Sequence, residues 1–200
     1  MNRPHPDILY FEGQELPTGE WLAPFFEKHP SLRPQPTPGA PARGYWATYC
    51  FEDGLLTVRD IEVADARNLR TGRRSVLAAI IEEAEDRAVT SVSGLLVAPP
   101  APAAGRRHYV LLEVRRGRLR AARSYDAAAL EVFKKDQFEY FQLTEDYELL
   151  KAAAQKEFEL REQEARRKDA GRGYRAFDVA AFNASVARDV LLHSKEFLAD

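Results

Sequence analysis

Two dipeptides, Asp53-Gly54 and Arg116-Gly117, each separate short runs of alternating apolar residues, and they constrain the fold more than any other feature. A two-residue hairpin turn needs positive φ, which glycine adopts at little cost. The flanking runs therefore read as strands: residues 45–51 (YWATYCF) with 55–61, and 109–114 with 119–125. An isolated hairpin is barely stable in water, so both must join a larger sheet or pack on helices. In the first strand Tyr45, Ala47, Tyr49 and Phe51 point one way, and Trp46, Thr48 and Cys50 the other. Aromatics on both faces predict a central strand covered on both sides.

The remaining segments supply further elements. Residues 8–11 (ILYF) form a short apolar run that ends in a polar turn at 12–15. A short helix is expected within 19–28, limited by Pro24. Residues 30–44 hold five prolines and two glycines and read as an extended surface loop. Val76, Leu77, Ile80, Ile81 and Ala84 recur at helical spacing, predicting an amphipathic helix over 73–88. A strand at 89–97, bulged near Gly94, and a proline loop at 98–105 follow. From Asp126, a natural N-cap, the pattern turns helical, with Leu130, Phe133, Phe138 and Phe141 on one face. A second helix starts at Thr144 and carries Tyr147, Leu150, Ala154 and Phe158 before turning polar toward Lys168. A last helix runs from Asp178 and includes Val179, Phe182, Val186, Val190 and Phe197.

The order is ββαβββ followed by helices. It predicts an α+β fold: a mainly antiparallel sheet of two or three hairpins packed on helices, with a C-terminal helical extension. Residues 1–145 are expected to form the α+β domain and 146–200 the extension.

Composition narrows function by exclusion. The net charge of −2 and pI near 6.1 argue against coating nucleic acid or anionic lipid through bulk charge. Cys50 is the single cysteine, so no disulfide framework holds the fold. The first sixteen residues lack a basic segment followed by an apolar run, and no apolar stretch is long enough to span a bilayer. A cytoplasmic protein without membrane association is expected. The chain has no CxxC, HxxxH or HExxH spacing, nor a glycine pattern for nucleotide phosphates, so no metal or cofactor is expected. His5, His29, His108 and His193 are scattered, which leaves Cys50 without an evident base and makes it a packing residue.

Two residue sets remain as candidates. Asp60 and Glu62 near one strand end, with Glu113 and Arg115 on another strand, are the types that hold Mg²⁺ and steady a phosphorane-like charge. They would make the chain a metal-dependent enzyme acting on nucleic acid or a phosphorylated substrate, provided they converge. Residues 106–123 hold seven arginines against one acid, Glu113. Arg116, Arg118 and Arg120 share a strand face and could track phosphates, which would make a nucleic-acid-binding module. The same residues suit the wet face of a half-buried strand. Arg43, at the entrance to the first hairpin, is a further candidate binding residue. Residues 126–169 hold twelve acids and eight bases, so the helical part leans negative beside the positive hairpin.

The pattern Arg43-Gly44-Tyr45, Ala47-Thr48-Tyr49 and Asp53-Gly54 resembles that of a family of short bacterial proteins with no assigned activity. These share an Arg-Gly-Tyr-x-Ala-Thr-aromatic strand and an Asp-Gly hairpin. The likeness continues through Ser93-Gly94-Leu95-Leu96, Leu111-Leu112, Gln137-Phe138 and Thr144-Glu145, covering roughly residues 7–150. Ala42 stands where the family often has an aromatic, and residues 99–105 replace a longer polar stretch. By analogy with other small bacterial α+β proteins, the resemblance implies a non-catalytic protein-binding protein. It would be of the immunity (toxin-neutralising) type or associated with phage defence. The partner is then another protein, and the oligomeric state stays open.

Overall fold

Turn chemistry lays out most of the sheet. The computed structural model describes residues 7–38, 40–68, 71–82, 85–100, 108–168 and 173–199. Both glycine turns take positive φ at each central residue, at Asp53 and Gly54 and at Arg116 and Gly117. That conformation matches the twist of the strands they join, β3 (Trp46–Glu52) to β4 (Leu55–Ala64) and β7 (Tyr109–Arg115) to β8 (Arg118–Tyr125). A third such turn, at Glu12 and Gly13, joins β1 (Asp7–Phe11) to β2 (Gln14–Thr18). The sequence shows the turn but hides β2, because Pro17 argues against a strand. Pro17 is tolerated there because β2 is an edge strand.

The sheet order is β2-β1-β3-β4-β8-β7-β6, with β5 (Arg73–Ser75) paired to β4 and β6 being Gly94–Ala98. Pairing is antiparallel except between β1 and β3, which run parallel with Leu9 opposite Tyr49. The fold is α+β with a mostly antiparallel sheet, as expected. β3 lies between β1 and β4, the inner place its two-faced pattern predicts. Its register shifts between Thr48 and Tyr49, so Arg59 is the extra residue of a bulge in β4. Leu9, Tyr45, Ala47, Tyr49, Leu56, Val58 and Ile61 form the centre of the core on one face. The other face is covered unevenly. Trp46 is buried beneath the Arg73 guanidinium, 4.0 Å from its ring centroid, whereas Thr48 and Cys50 stay half-buried.

The expected helix over 73–88 is replaced. Arg73–Ser75 pairs with Glu62–Ala64 of β4, and one short helix survives, α2 (Leu77–Ile80). Ser75, well placed to cap a longer helix, donates its hydroxyl to Asp60 at 2.6 Å, and Val76 at the N-cap offers no capping side chain. Leu77, Ile80 and Ile81 are buried all the same, so the apolar spacing is real while the helix is overridden by strand pairing. Glu83 and Ala84 lie outside the described residues. The expected strand at 89–97 starts later, at Gly94; upstream of it Ala88 bridges Thr57 and the Val89 amide donates to the Leu56 carbonyl. The short helix expected within 19–28 is α1 (Ala23–Lys28), and the proline segment includes a 3-10 turn at Pro30–Leu32.

The chain divides into two compact units, Met1–Ser124 and Tyr125–Asp200. In the second, Asp126 caps α3 (Ala127–Phe141) by accepting from the Ala129 amide at 2.8 Å. The buried face of α3 is Leu130, Phe133, Gln137 and Phe141, so Gln137 takes the place the sequence suggests for Phe138. α4 (Glu145–Lys168) opens on Glu145, Asp146 and Glu148 and closes on Arg166, Arg167 and Lys168, each sign suiting its end of the helix dipole. The last predicted helix is two, α5 (Val179–Arg188) and α6 (Val190–His193), and Phe197 lies beyond both. Rings link these elements in a chain: Phe158, Phe177, Phe182, Tyr147, Phe141 and His193, with successive centroids 5.7–6.5 Å apart.

Candidate functional site

Arg43 is turned inward. Its side chain is 9% exposed and ion-paired with Asp7, which is fully buried. Nε donates to the Tyr45 carbonyl at 3.0 Å, Glu20 stands 3.6 Å away, and the guanidinium lies 5.4 Å from the Tyr45 ring centroid. Asp7 also accepts from the Ala47 amide at 2.8 Å and from the Tyr49 hydroxyl at 3.4 Å. The cluster follows from strand parity. Asp7 and Leu9 share the core face of β1, which pairs directly with β3. Burial pushes the Asp7 carboxyl above the usual carboxylate range, against the opposing pull of the Ala47 amide and Arg43. It also pushes Tyr45 up to about 12 and raises Tyr49, with the Asp7 charge adding in both cases. The Tyr45 hydroxyl is buried with no hydrogen-bond partner among the described residues. Arg43, a candidate binding residue in the sequence, ties β1 to the entrance of β3 in the structure.

The four residues of the metal-dependent reading are not brought together. Asp60 accepts from the Ile61 amide at 2.8 Å and from Ser75, and Glu62 pairs with Arg73 at 3.5 Å. Glu113 sits opposite Leu95, and Arg115 is exposed beside the second turn. β8 stands between β4 and β7. Leu55 is level with Arg118, and Asp60 lies five residues further along β4, ~16 Å at the strand rise, on the side away from Glu113. Among the described residues no cluster of three or more His, Cys, Asp or Glu is placed to hold a metal ion.

Arg118 and Arg120 are exposed and alternate with half-buried Leu119 and Ala121, as the strand pattern predicts. Arg116 occupies the turn itself, its amide held by the Ser93 hydroxyl at 2.9 Å. Arg106 and Arg107 lie outside the described residues, as does His5. Cys50 lies beside Thr57, sulfur to hydroxyl 3.5 Å, on the half-covered face.

Comparison with known proteins finds no matching family model, and no curated protein or solved structure that matches the chain.

Two features escape sequence reasoning. The first unit holds a cleft of about 560 Å³ between α1 and the segment after α2, lined by Trp21, Phe25, His29, Ile80, Ile81 and Val89 among others. Its walls are some fifty residues apart in sequence, so no local motif marks it. The second feature is the surface of the helical unit. Nine large hydrophobics stand exposed among the described residues, and eight of them, all but Leu32, belong to that unit. Leu143 and Leu192 are the most exposed, at 83% and 80%. In sequence they lie close to the stacked pair Phe141 and His193, whose centroids are 6.5 Å apart. Val132 and Tyr140, also exposed, lie two turns apart on α3, and Leu143 follows one turn on. No helix among the described residues is long and apolar enough to cross a membrane.

Proposed function

We propose that this chain is a non-catalytic binding protein whose partner is another protein, of the immunity type or serving a phage-defence locus. The observation that carries this reading is the exposed apolar set of the helical unit, centred on Leu143, Leu192, Tyr140 and Val132. Large apolar side chains left this exposed on one unit gain by contact with a second protein. The paired carboxylates of the sheet unit support the same reading, since Asp7, Asp60 and Glu62 are held by Arg43, Ser75 and Arg73.

The test is co-expression with the product of the adjacent gene. The wild-type chain is expected to co-purify with that product and to relieve its toxicity. A Leu143→Glu, Leu192→Glu double variant is expected to lose both while keeping its helical circular dichroism and its unfolding midpoint. Full rescue by the folded double variant, or no co-purification by the wild type, would sink the proposal. If the purified chain instead retains nucleic acid that salt strips away, the reading through exposed Arg118 and Arg120 gains.

A further inference from the structure

One row of α3 carries a second kind of surface. Phe133, Gln137 and Phe141 follow each other at one-turn spacing along its buried face. The chain after α6 lies along that row in the reverse direction. His193 stacks on Phe141, and Phe197 meets Phe133 edge-on with centroids 5.8 Å apart. Between them the fully buried Gln137 reads main chain only. Its amide nitrogen donates to the Glu196 carbonyl at 2.8 Å, and its oxygen accepts from the Leu198 and Ala199 amides at 2.9 and 3.1 Å. The 195–199 segment has no helix or strand of its own.

We propose that this row is a recognition site for an extended peptide, held shut in this structure by the chain's own 195–199 segment. The occupant it fits is a partner segment with an aromatic residue and, two positions on, a small one, as Phe197 and Ala199 are here. Such recognition combines main-chain hydrogen bonds, blind to sequence, with one aromatic seat that supplies selectivity. Two observations mark the bound segment as displaceable. The Ser194 hydroxyl, where the segment leaves α6, is buried with no hydrogen-bond partner among the described residues, so release lets it hydrate. The ion pair Lys195–Asp146, 2.8 Å, joins two side chains 65% and 41% exposed, where solvent screens it. A segment without regular structure, with Lys195 and Glu196 exposed, has features of the parts of a protein that open locally. The row meets the exposed leucines Leu143 and Leu192 at the Phe141–His193 stack, but the two proposals are tested with different variants and readouts, so either can fail alone.

Competition by the chain's own segment makes the idea measurable, because apparent affinity falls in proportion to the fraction of molecules with the site open. The probe is a blocked, fluorescently labelled peptide of residues 193–199, HSKEFLA, titrated into the full-length chain. Phe197→Ala and Lys195→Ala, which loosen the segment without altering α3, are each expected to tighten peptide binding several-fold relative to wild type. Gln137→Leu, added to either, is expected to abolish it. The proposal is overturned if neither loosened variant binds the peptide more tightly, or if binding survives Gln137→Leu. It is likewise overturned if light scattering shows that the loosened variants satisfy the row with a second copy's segment and ignore the added peptide.

Discussion

Arg43 and Asp7 stand thirty-six residues apart in sequence and share one buried site. Two charges withdrawn from water are held there by their mutual attraction together with the Ala47 amide and the Tyr45 carbonyl. Removing one partner of such a pair leaves the other buried and uncompensated, a loss of about 3–5 kcal/mol. Arg43→Met should therefore destabilise the protein by about that amount at neutral pH. The deficit should shrink in acid. Burial already holds the Asp7 carboxyl above the usual carboxylate range, and losing Arg43 removes one of the influences that lower it. A carboxyl whose folded pKa is raised favours folding in its protonated form, so stability returns as pH falls through that raised value. Urea unfolding at pH 7 and near pH 4 checks this; a deficit that stays constant or grows in acid contradicts it. The sequence marks Arg43 as unusual, beside an aromatic strand, but not what it serves. Its partner is a lone acid before a distant apolar run, and only the parallel pairing of β1 with β3 brings the two together.

Among elements, the hairpins are legible and the 73–88 segment is not, for one physical reason. A hairpin turn is decided by residues adjacent in sequence, whereas β5 exists because β4 offers it a partner from ten residues or so upstream. The glycines of the two turns also differ in a way sequence cannot show. A Cβ on Gly54 would meet nothing within 4 Å, whereas one on Gly117 would lie 2.3 Å from the Val89 carbonyl oxygen. Gly117 further donates to the Val92 carbonyl and accepts from the Leu56 amide, so three segments converge on it. Gly54→Ala should cost about 1–2 kcal/mol from its left-handed backbone alone. Gly117→Ala should cost distinctly more, because backbone cannot yield as a side-chain tip can. Denaturant midpoints of the two variants decide the matter, and equal losses would show that the Val89 carbonyl gives way.

The whole molecule joins a sheet unit closed around aliphatic and aromatic strands to a helical unit with much apolar surface outside. The sequence announces both, through the glycine turns and through the capping acids Asp126 and Asp178, whose side chains accept from Ala129 and Ala181. It does not announce the candidate surfaces. Leu143 and Leu192 read as ordinary helix residues until their exposure is seen, and Gln137 reads as a polar interruption until its three main-chain contacts are counted. One architectural choice also has a consequence in time. β3 and β4 can zip from their turn within microseconds or so, as local hairpins do. β1 has no such shortcut, because its parallel place beside β3 requires closing the loop that runs through β2, α1 and the proline segment. The strand nearest the start of the described chain should thus be among the last to arrive. In stopped-flow refolding, Leu9→Ala should speed unfolding and leave the folding rate nearly untouched, whereas Leu56→Ala should slow folding. If the two behave alike, β1 is already docked at the barrier, and the sheet assembles around its one parallel pair.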